Sequence, residues 1–155
     1  MTGGIAIHGL SDRDRAAVAA LKGAGDRLIE MGDSLENTPK SREQARALIF
    51  TPEDAASGAA RLHAFARNAR AAGHPDPVAV LLLDTALLTP GGASGAKAGL
   101  VDLVSTAALD LAPHCRVCGL MTGAATPADA LTRCLAFVLE SDIYTGHILK
   151  VSAGA

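Results

Sequence analysis

Between Pro77 and Asp84 the chain runs Val78-Ala79-Val80-Leu81-Leu82-Leu83 without a polar residue. A strand with one wet face alternates apolar and polar side chains, so an unbroken run of this length is a strand covered on both faces. Pro75 and Pro77 stand before it, and it is too short to be read as a buried helix. Such strands belong to parallel sheets that carry helices on each side.

The flanking sequence repeats the theme. Ile5–Gly9, Arg27–Met31, Ala47–Phe50, Cys115–Met121 and His147–Val151 read as further short strands. Between them lie helical stretches: Ser11 (as N-cap) to about Ala24, Thr51 (N-cap, with Pro52 at the first helical position) to about Ala72, Ser94 to Leu111, and Ala128 to Glu140 after Thr126-Pro127. Gly32–Ser41 reads as a loop, with one helical turn at Arg42–Arg46. Strand and helix alternate, and every connection is too long for a hairpin. The expectation is one α/β domain over residues 1–155, a three-layer, doubly wound parallel sheet of shortened Rossmann-like form.

Composition narrows the function classes. Hydrophobic residues are 49% of the chain and aromatics only 3%, with no Trp, so the core is aliphatic. Fourteen basic against sixteen acidic residues leave a formal charge of −2. That balance gives no basic patch for nucleic acid or an anionic membrane. No stretch approaches the roughly 18 apolar residues that a membrane span needs, and no signal-peptide pattern opens the chain. An odd set of three Cys fits a reduced, cytoplasmic setting. His114-Cys115-Arg116-Val117-Cys118 contains a C-x-x-C, but on a strand residues three apart point to opposite faces, which suits small buried thiols and not a metal centre. His8, at the end of the first strand, stands where side chains line the crevice of such a sheet; the plainer reading is a strand-end imidazole bonded to backbone. Glu53, Asp54, Asp12 and Asp14 open helices, where the helix dipole accounts for them.

The second half of the chain resembles the short-chain dehydrogenase/reductase family. The segments that carry the resemblance are Ala93-Ser94-Gly95-Ala96-Lys97, then Ala108-Leu109-Asp110-Leu111-Ala112-Pro113, then Arg116-Val117 through Thr122-Gly123, then Thr126-Pro127-Ala128-Asp129, and finally Tyr144-Thr145-Gly146-His147-Ile148-Leu149-Lys150-Val151. They follow the family's order over roughly residues 90–155; the first half agrees only in layout. By this resemblance the family's catalytic Tyr falls on Ala93, its partner Lys on Lys97, and its Ser near Asp84-Thr85-Ala86, with Thr85 as a substitute hydroxyl. The glycine-rich cofactor fingerprint falls on His8 to Arg15, where Gly9 alone is kept and Arg13 and Arg15 replace glycines. Lys97 and Gly9 are then the candidate cofactor contacts, Lys97 and Thr85 the vestigial catalytic ones, and NAD(P) the cofactor if any is held. One strand–helix pair is absent between Met31 and Ala47, and the loop Gly123–Thr126 is too short for a substrate lid.

The resemblance therefore implies a non-catalytic, pseudo-enzyme member. It would act as a homo-oligomer, or as a hetero-oligomer with an active relative, through the helices at 55–72 and 96–111. Ala96, Leu100, Leu103, Val104, Ala107 and Leu111 form one apolar stripe, and Val101 and Ala108 widen it, more than packing on a single sheet requires. Two rivals stand beside it. One is an NAD(P)-dependent oxidoreductase with Lys97, Thr85 and a non-standard acid such as His8 or Tyr144; the other is a sensor that binds a nucleotide or metabolite at the carboxyl edge of the sheet without chemistry.

Overall fold

The computed structural model describes residues 3–21, 27–32 and 45–151. Six strands form one parallel sheet: β1 (Gly4–His8), β2 (Arg27–Glu30), β3 (Ala45–Phe50), β4 (Val78–Asp84), β5 (Arg116–Thr122) and β6 (Ile148–Lys150), in the spatial order β2-β1-β3-β4-β5-β6. Four α-helices connect or flank them: α1 (Asp12–Leu21), α2 (Ala55–Ala71), α3 (Leu100–Leu111) and α4 (Ala128–Glu140). The chain steps outward from β1 to β2, then returns past β1 to lay down β3 and the rest. The strand order thus reverses between β1 and β3, which puts the crevice of this sheet at their carboxyl ends.

Alternate residues of each strand feed two cores. On one face Ile5, Ile7, Ile49, Val80, Leu82 and Leu120 meet Val18 of α1 and Leu131, Leu135 and Val138 of α4. On the other, Leu48, Phe50, Leu81, Leu83 and Met121 meet Leu62 and Phe65 of α2 and Leu100, Leu103 and Val104 of α3. The unbroken apolar run of β4 is therefore shared residue by residue between the two layers, as its sequence demands. Cys115 lies in the second core and Cys118 in the first, so the C-x-x-C is split by the sheet. No group of His, Cys, Asp or Glu among the described residues could hold a metal ion.

Two helix starts differ from the sequence reading. The helix expected from Ser94 begins only at Leu100: residues 95–97 make a single 3₁₀ turn, and Gly99 has φ +80°, a left-handed conformation that breaks any helix run through it. Ala96 is consequently exposed and lies outside the stripe. The helix expected from Thr51 begins at Ala55, because Asp54 and not Thr51 is the cap: its carboxylate accepts from the Ser57 N–H at 2.7 Å. Ser11 is a cap as expected, accepting from the Asp14 N–H at 3.2 Å. Residues 22–26, the end expected for the first helix, and 33–44, which hold most of the expected loop and most of the turn at 42–46, lie outside the described residues; Arg46 itself is in β3.

The widening of the apolar stripe on α3 also has an internal cover. Ala108 is buried within the chain, beside the turn at Gly146, and Val101 is half-buried against the same core. Leu109 points outward instead, 80% exposed.

Candidate functional site

The carboxyl ends of β1 and β3, the loop after β3 and the first turns of α2 line an open cavity of about 180 Å³. Its walls are His8, Phe50, Thr51, Pro52, Glu53, Ser57, Gly58 and Arg61. Gly9 shapes the β1 side. Its φ is +67°, and a Cβ there would come within 3.0 Å of the Thr51 carbonyl oxygen, so only glycine lets the β1 turn lie this close to β3. The Thr51 N–H in turn donates to the His8 carbonyl at 3.1 Å. Gly9 is thus placed as a tight turn.

His8 Nδ1 lies 2.8 Å from the Met31 carbonyl oxygen, which can only accept, so Nδ1 carries the proton. Arg61, one turn and a half into α2, is only 7% exposed, with Nη1 directed at the Gly32 carbonyl at 3.5 Å. The Asp54 carboxyl at the head of the same helix is held below its ordinary value, first by the hydrogen bond from the Ser57 backbone.

Two arginines on α1 occupy the positions read as lost glycines. From Arg13, Nη1 donates to the Gly123 carbonyl at 2.6 Å and the Thr126 carbonyl at 3.3 Å, and Nη2 donates to the Thr122 hydroxyl at 3.1 Å. Its Nε donates to Asp14 at 2.9 Å, and that aspartate is buried. The side chain therefore ties the start of α1 to the carboxyl end of β5, although β3 and β4 separate β1 from β5 in the sheet. Arg15 pairs with Glu30 at the end of β2. In dinucleotide-binding sheets the start of the first helix takes the pyrophosphate and an acid after the second strand takes a ribose hydroxyl. Here both places are bonded to the chain's own guanidinium groups.

The other candidates do not converge. Thr85 follows β4 at the carboxyl edge, half-buried, with its Oγ1 close enough to Gly123 that a Cβ there would come within 3.1 Å. Lys97 and Ala93 are exposed, Lys97 on the isolated 3₁₀ turn and Ala93 in the turn before it. Tyr144 sits beside the start of β5, where its carbonyl receives Arg116 at 3.4 Å and its ring meets Phe137 edge to face and His147 at a tilt. That is the amino end of the sheet, opposite His8 and Thr85. The loop Gly123–Thr126 is a closed turn, the Thr126 hydroxyl accepting from the Gly123 N–H at 2.9 Å.

Arg61 and the Arg13 bridge were not singled out from sequence as parts of a site. Arg61 reads there as one more polar residue on an Ala-rich helix. Its helical position three and four residues after Gly58 and Ser57 was the available signal, since that spacing puts all three on one face.

No protein-family model and no curated protein matches the chain. Solved structures do. The chain is similar to a small-chain dehydrogenase at 15% identity and TM-score 0.64, covering 97% of this chain and 96% of that one. It is similar to FolM alternative dihydrofolate reductase 1 from Brucella suis, solved in complex with NADP, at 13% identity and TM-score 0.69, covering 96% and 93%. It is also similar to a mutant of a short-chain dehydrogenase/reductase from Serratia marcescens, at 13% identity and TM-score 0.67, covering 97% and 95%. Sequence identity this low speaks for architecture and leaves chemistry to the site itself. The chain has the fold of the short-chain dehydrogenase/reductase structures.

Proposed function

We propose that this chain is a non-catalytic subunit of short-chain-dehydrogenase architecture, acting by association with a second copy or with a catalytically competent relative. The observation that carries this reading is the Arg13 bridge to Thr122, Gly123 and Thr126. A dinucleotide laid along the carboxyl edge would have to displace three hydrogen bonds from a charged donor, each worth about 1.5–3 kcal/mol. Ala93 offers no hydroxyl to exchange a proton with a carbonyl oxygen, and Lys97 stands exposed on an isolated 3₁₀ turn.

The rival reading, an NAD(P)-dependent oxidoreductase, draws its support from the NADP complex solved on the same fold. Calorimetric titration with NADH and NADPH separates the two. We expect no saturable binding up to about 1 mM; a dissociation constant of about 10 μM or tighter, equivalent to roughly 7 kcal/mol of favourable contacts, would overturn the non-catalytic reading. Affinity purification of the native chain should recover a second copy or a relative of the same fold that retains the Tyr-Lys pair.

A further inference from the structure

We infer that the place where sheets of this kind receive a dinucleotide is rebuilt in this chain as a seat for a guanidinium group, filled by its own Arg13. The inference rests on the non-catalytic reading and deepens it, by stating what the carboxyl edge holds in place of a cofactor. A dinucleotide does not fit the edge as built. Pyrophosphate binding needs free N–H groups and positive potential at the start of the first helix. Here the Ser11 hydroxyl already accepts from the Asp14 N–H at 3.2 Å, and the Asp14 carboxylate is buried in the first turn of α1.

The partners of Arg13 define the seat. Nε lies 2.9 Å and Nη2 2.8 Å from the same Asp14 oxygen, and Nη2 is also 3.1 Å from the Thr122 hydroxyl. Nη1 reaches the Gly123 and Thr126 carbonyls at 2.6 and 3.3 Å. Each nitrogen of the fork thus meets an acceptor, and the acceptors are one carboxylate, one hydroxyl and two carbonyls. That set suits a planar cation and repels a phosphate. The seat also has bonds of its own. The turn before α4 is closed by the Thr126 N–H on the Gly123 carbonyl at 3.1 Å and the Gly123 N–H on the Thr126 hydroxyl at 2.9 Å, and that hydroxyl donates to the Val151 carbonyl at 3.4 Å. Acceptors fixed in this way stay in place when the occupant is removed, so a free guanidinium can enter at little ordering cost. Removing Arg13 therefore uncovers an acidic seat, not a pyrophosphate site. While filled, the seat ties the start of α1 to the turn that opens α4, two helices that share one core.

The test uses the full chain, with methylguanidinium chloride, methylammonium chloride and NADPH as probes at fixed ionic strength. Arg13→Ala should lower the melting temperature by about 5–15 °C, because the buried Asp14 carboxylate loses its partner. Methylguanidinium at about 20 mM should restore about a third or more of that loss, while moving the parent by less than about 1 °C. Methylammonium should restore less than about a tenth, since a point charge does not replace the fork. Adding Asp14→Asn to Arg13→Ala should abolish the rescue, a result that a merely weakened fold would not give. NADPH should not bind Arg13→Ala up to about 1 mM. In the parent, the Arg13 Nε–H should exchange with solvent at least about tenfold more slowly than that of Arg133, whose side chain is 69% exposed. That NMR measurement is readable even if Arg13→Ala does not fold. No rescue by methylguanidinium, equal rescue by methylammonium, or an Arg13 Nε–H that exchanges as fast as that of Arg133 would each overturn the seat. NADPH binding to Arg13→Ala but not to the parent would reveal a masked dinucleotide site, which overturns the inference and leaves the non-catalytic reading intact. NADPH binding to the parent would overturn both.

Discussion

Arg116 opens β5 with its side chain 9% exposed, and it has found partners in every direction. Nε and Nη2 each lie 3.1 Å from an oxygen of the Asp76 carboxylate, and the other donors reach the carbonyls of Val138, Leu139 and Tyr144 at 3.0–3.4 Å. One guanidinium thus closes the last turn of α4, whose final carbonyls have no helical acceptor role left, and fixes the approach to β6. Arg116→Ala would remove the donor of the buried Val138 carbonyl, strip the part-buried Leu139 and Tyr144 carbonyls of the same partner, and open a void. We expect a loss of about 3 kcal/mol in urea unfolding, with Asp76→Asn costing less because the Asp76 side chain is half in solvent and its pairing is screened. The thiols give a second expectation. Burial pushes Cys115 up to about 12 and Cys118 up to about 11, so neither carries appreciable thiolate at neutral pH. Cys134 on α4 is half-buried. A maleimide at pH 7 should label Cys134 within minutes and leave the other two intact until the chain is unfolded, with peptide mapping as the readout.

The cap of α2 is an element-scale example of charge placed where the backbone asks for it. Asp54 accepts from the first free N–H groups of a 17-residue helix, and these bonds lower its pKa from the ordinary 3.8. A carboxyl with a lower pKa folded than unfolded adds stability that is complete above the unfolded value and is lost as pH falls through the folded one. Asp54→Ala should therefore lower the melting temperature at pH 7, and the gap from the parent should close as the pH is taken below about 4, measured by circular dichroism across a pH series. The helix itself was legible in the sequence, but its cap was not, because Thr51-Pro52 offers the same signals three residues earlier. All six strands were legible to within two residues, since burial on both faces leaves an uninterrupted apolar signature in β4 and β5. The start of α3 was not: Gly95 and Gly99 look like small residues in an apolar helix, and only their positive φ angles, 62° and 80°, show that the chain turns there. The cavity was legible only as His8 at a strand end. Its remaining walls come from β3 and α2, and nothing in the local pattern brings Arg61 onto Phe50 until the sheet is assembled.

At the scale of the whole molecule, α2 and α3 lie side by side over one face of the sheet and spend their large apolar residues on that core. What they turn outward includes Ala56, Ala60, His63, Arg67 and Arg70 from α2, and Asp102, Ser105, Thr106, Leu109 and Asp110 from α3. This surface mixes small and charged side chains with one large exposed apolar residue, so it is not a deep hydrophobic patch. Neither Val101 nor Ala108, which widen the apolar stripe, can report on an interface: Ala108 is part of the chain's own core and Val101 packs against it, so a charge at either would disturb folding first. Leu109 is the discriminating position, because at 80% exposure it contributes little to the isolated fold. In a two-fold dimer through these helices it would be buried from both sides, since each copy presents the same patch. A stable pair would cover at least about 1,200 Å² in total with its centre dry. Leu109→Glu would then place two uncompensated carboxylates in that centre, a penalty of several kcal/mol, or more than a hundredfold in the dissociation constant. Sedimentation velocity at micromolar concentration should find the parent above the 15.7 kDa of one chain and Leu109→Glu at that mass, with the two sharing the same circular dichroism spectrum. A parent chain that sediments as a monomer would sink self-association and restrict the proposed role to a mixed assembly; a dimer indifferent to Leu109→Glu would move the interface off these two helices.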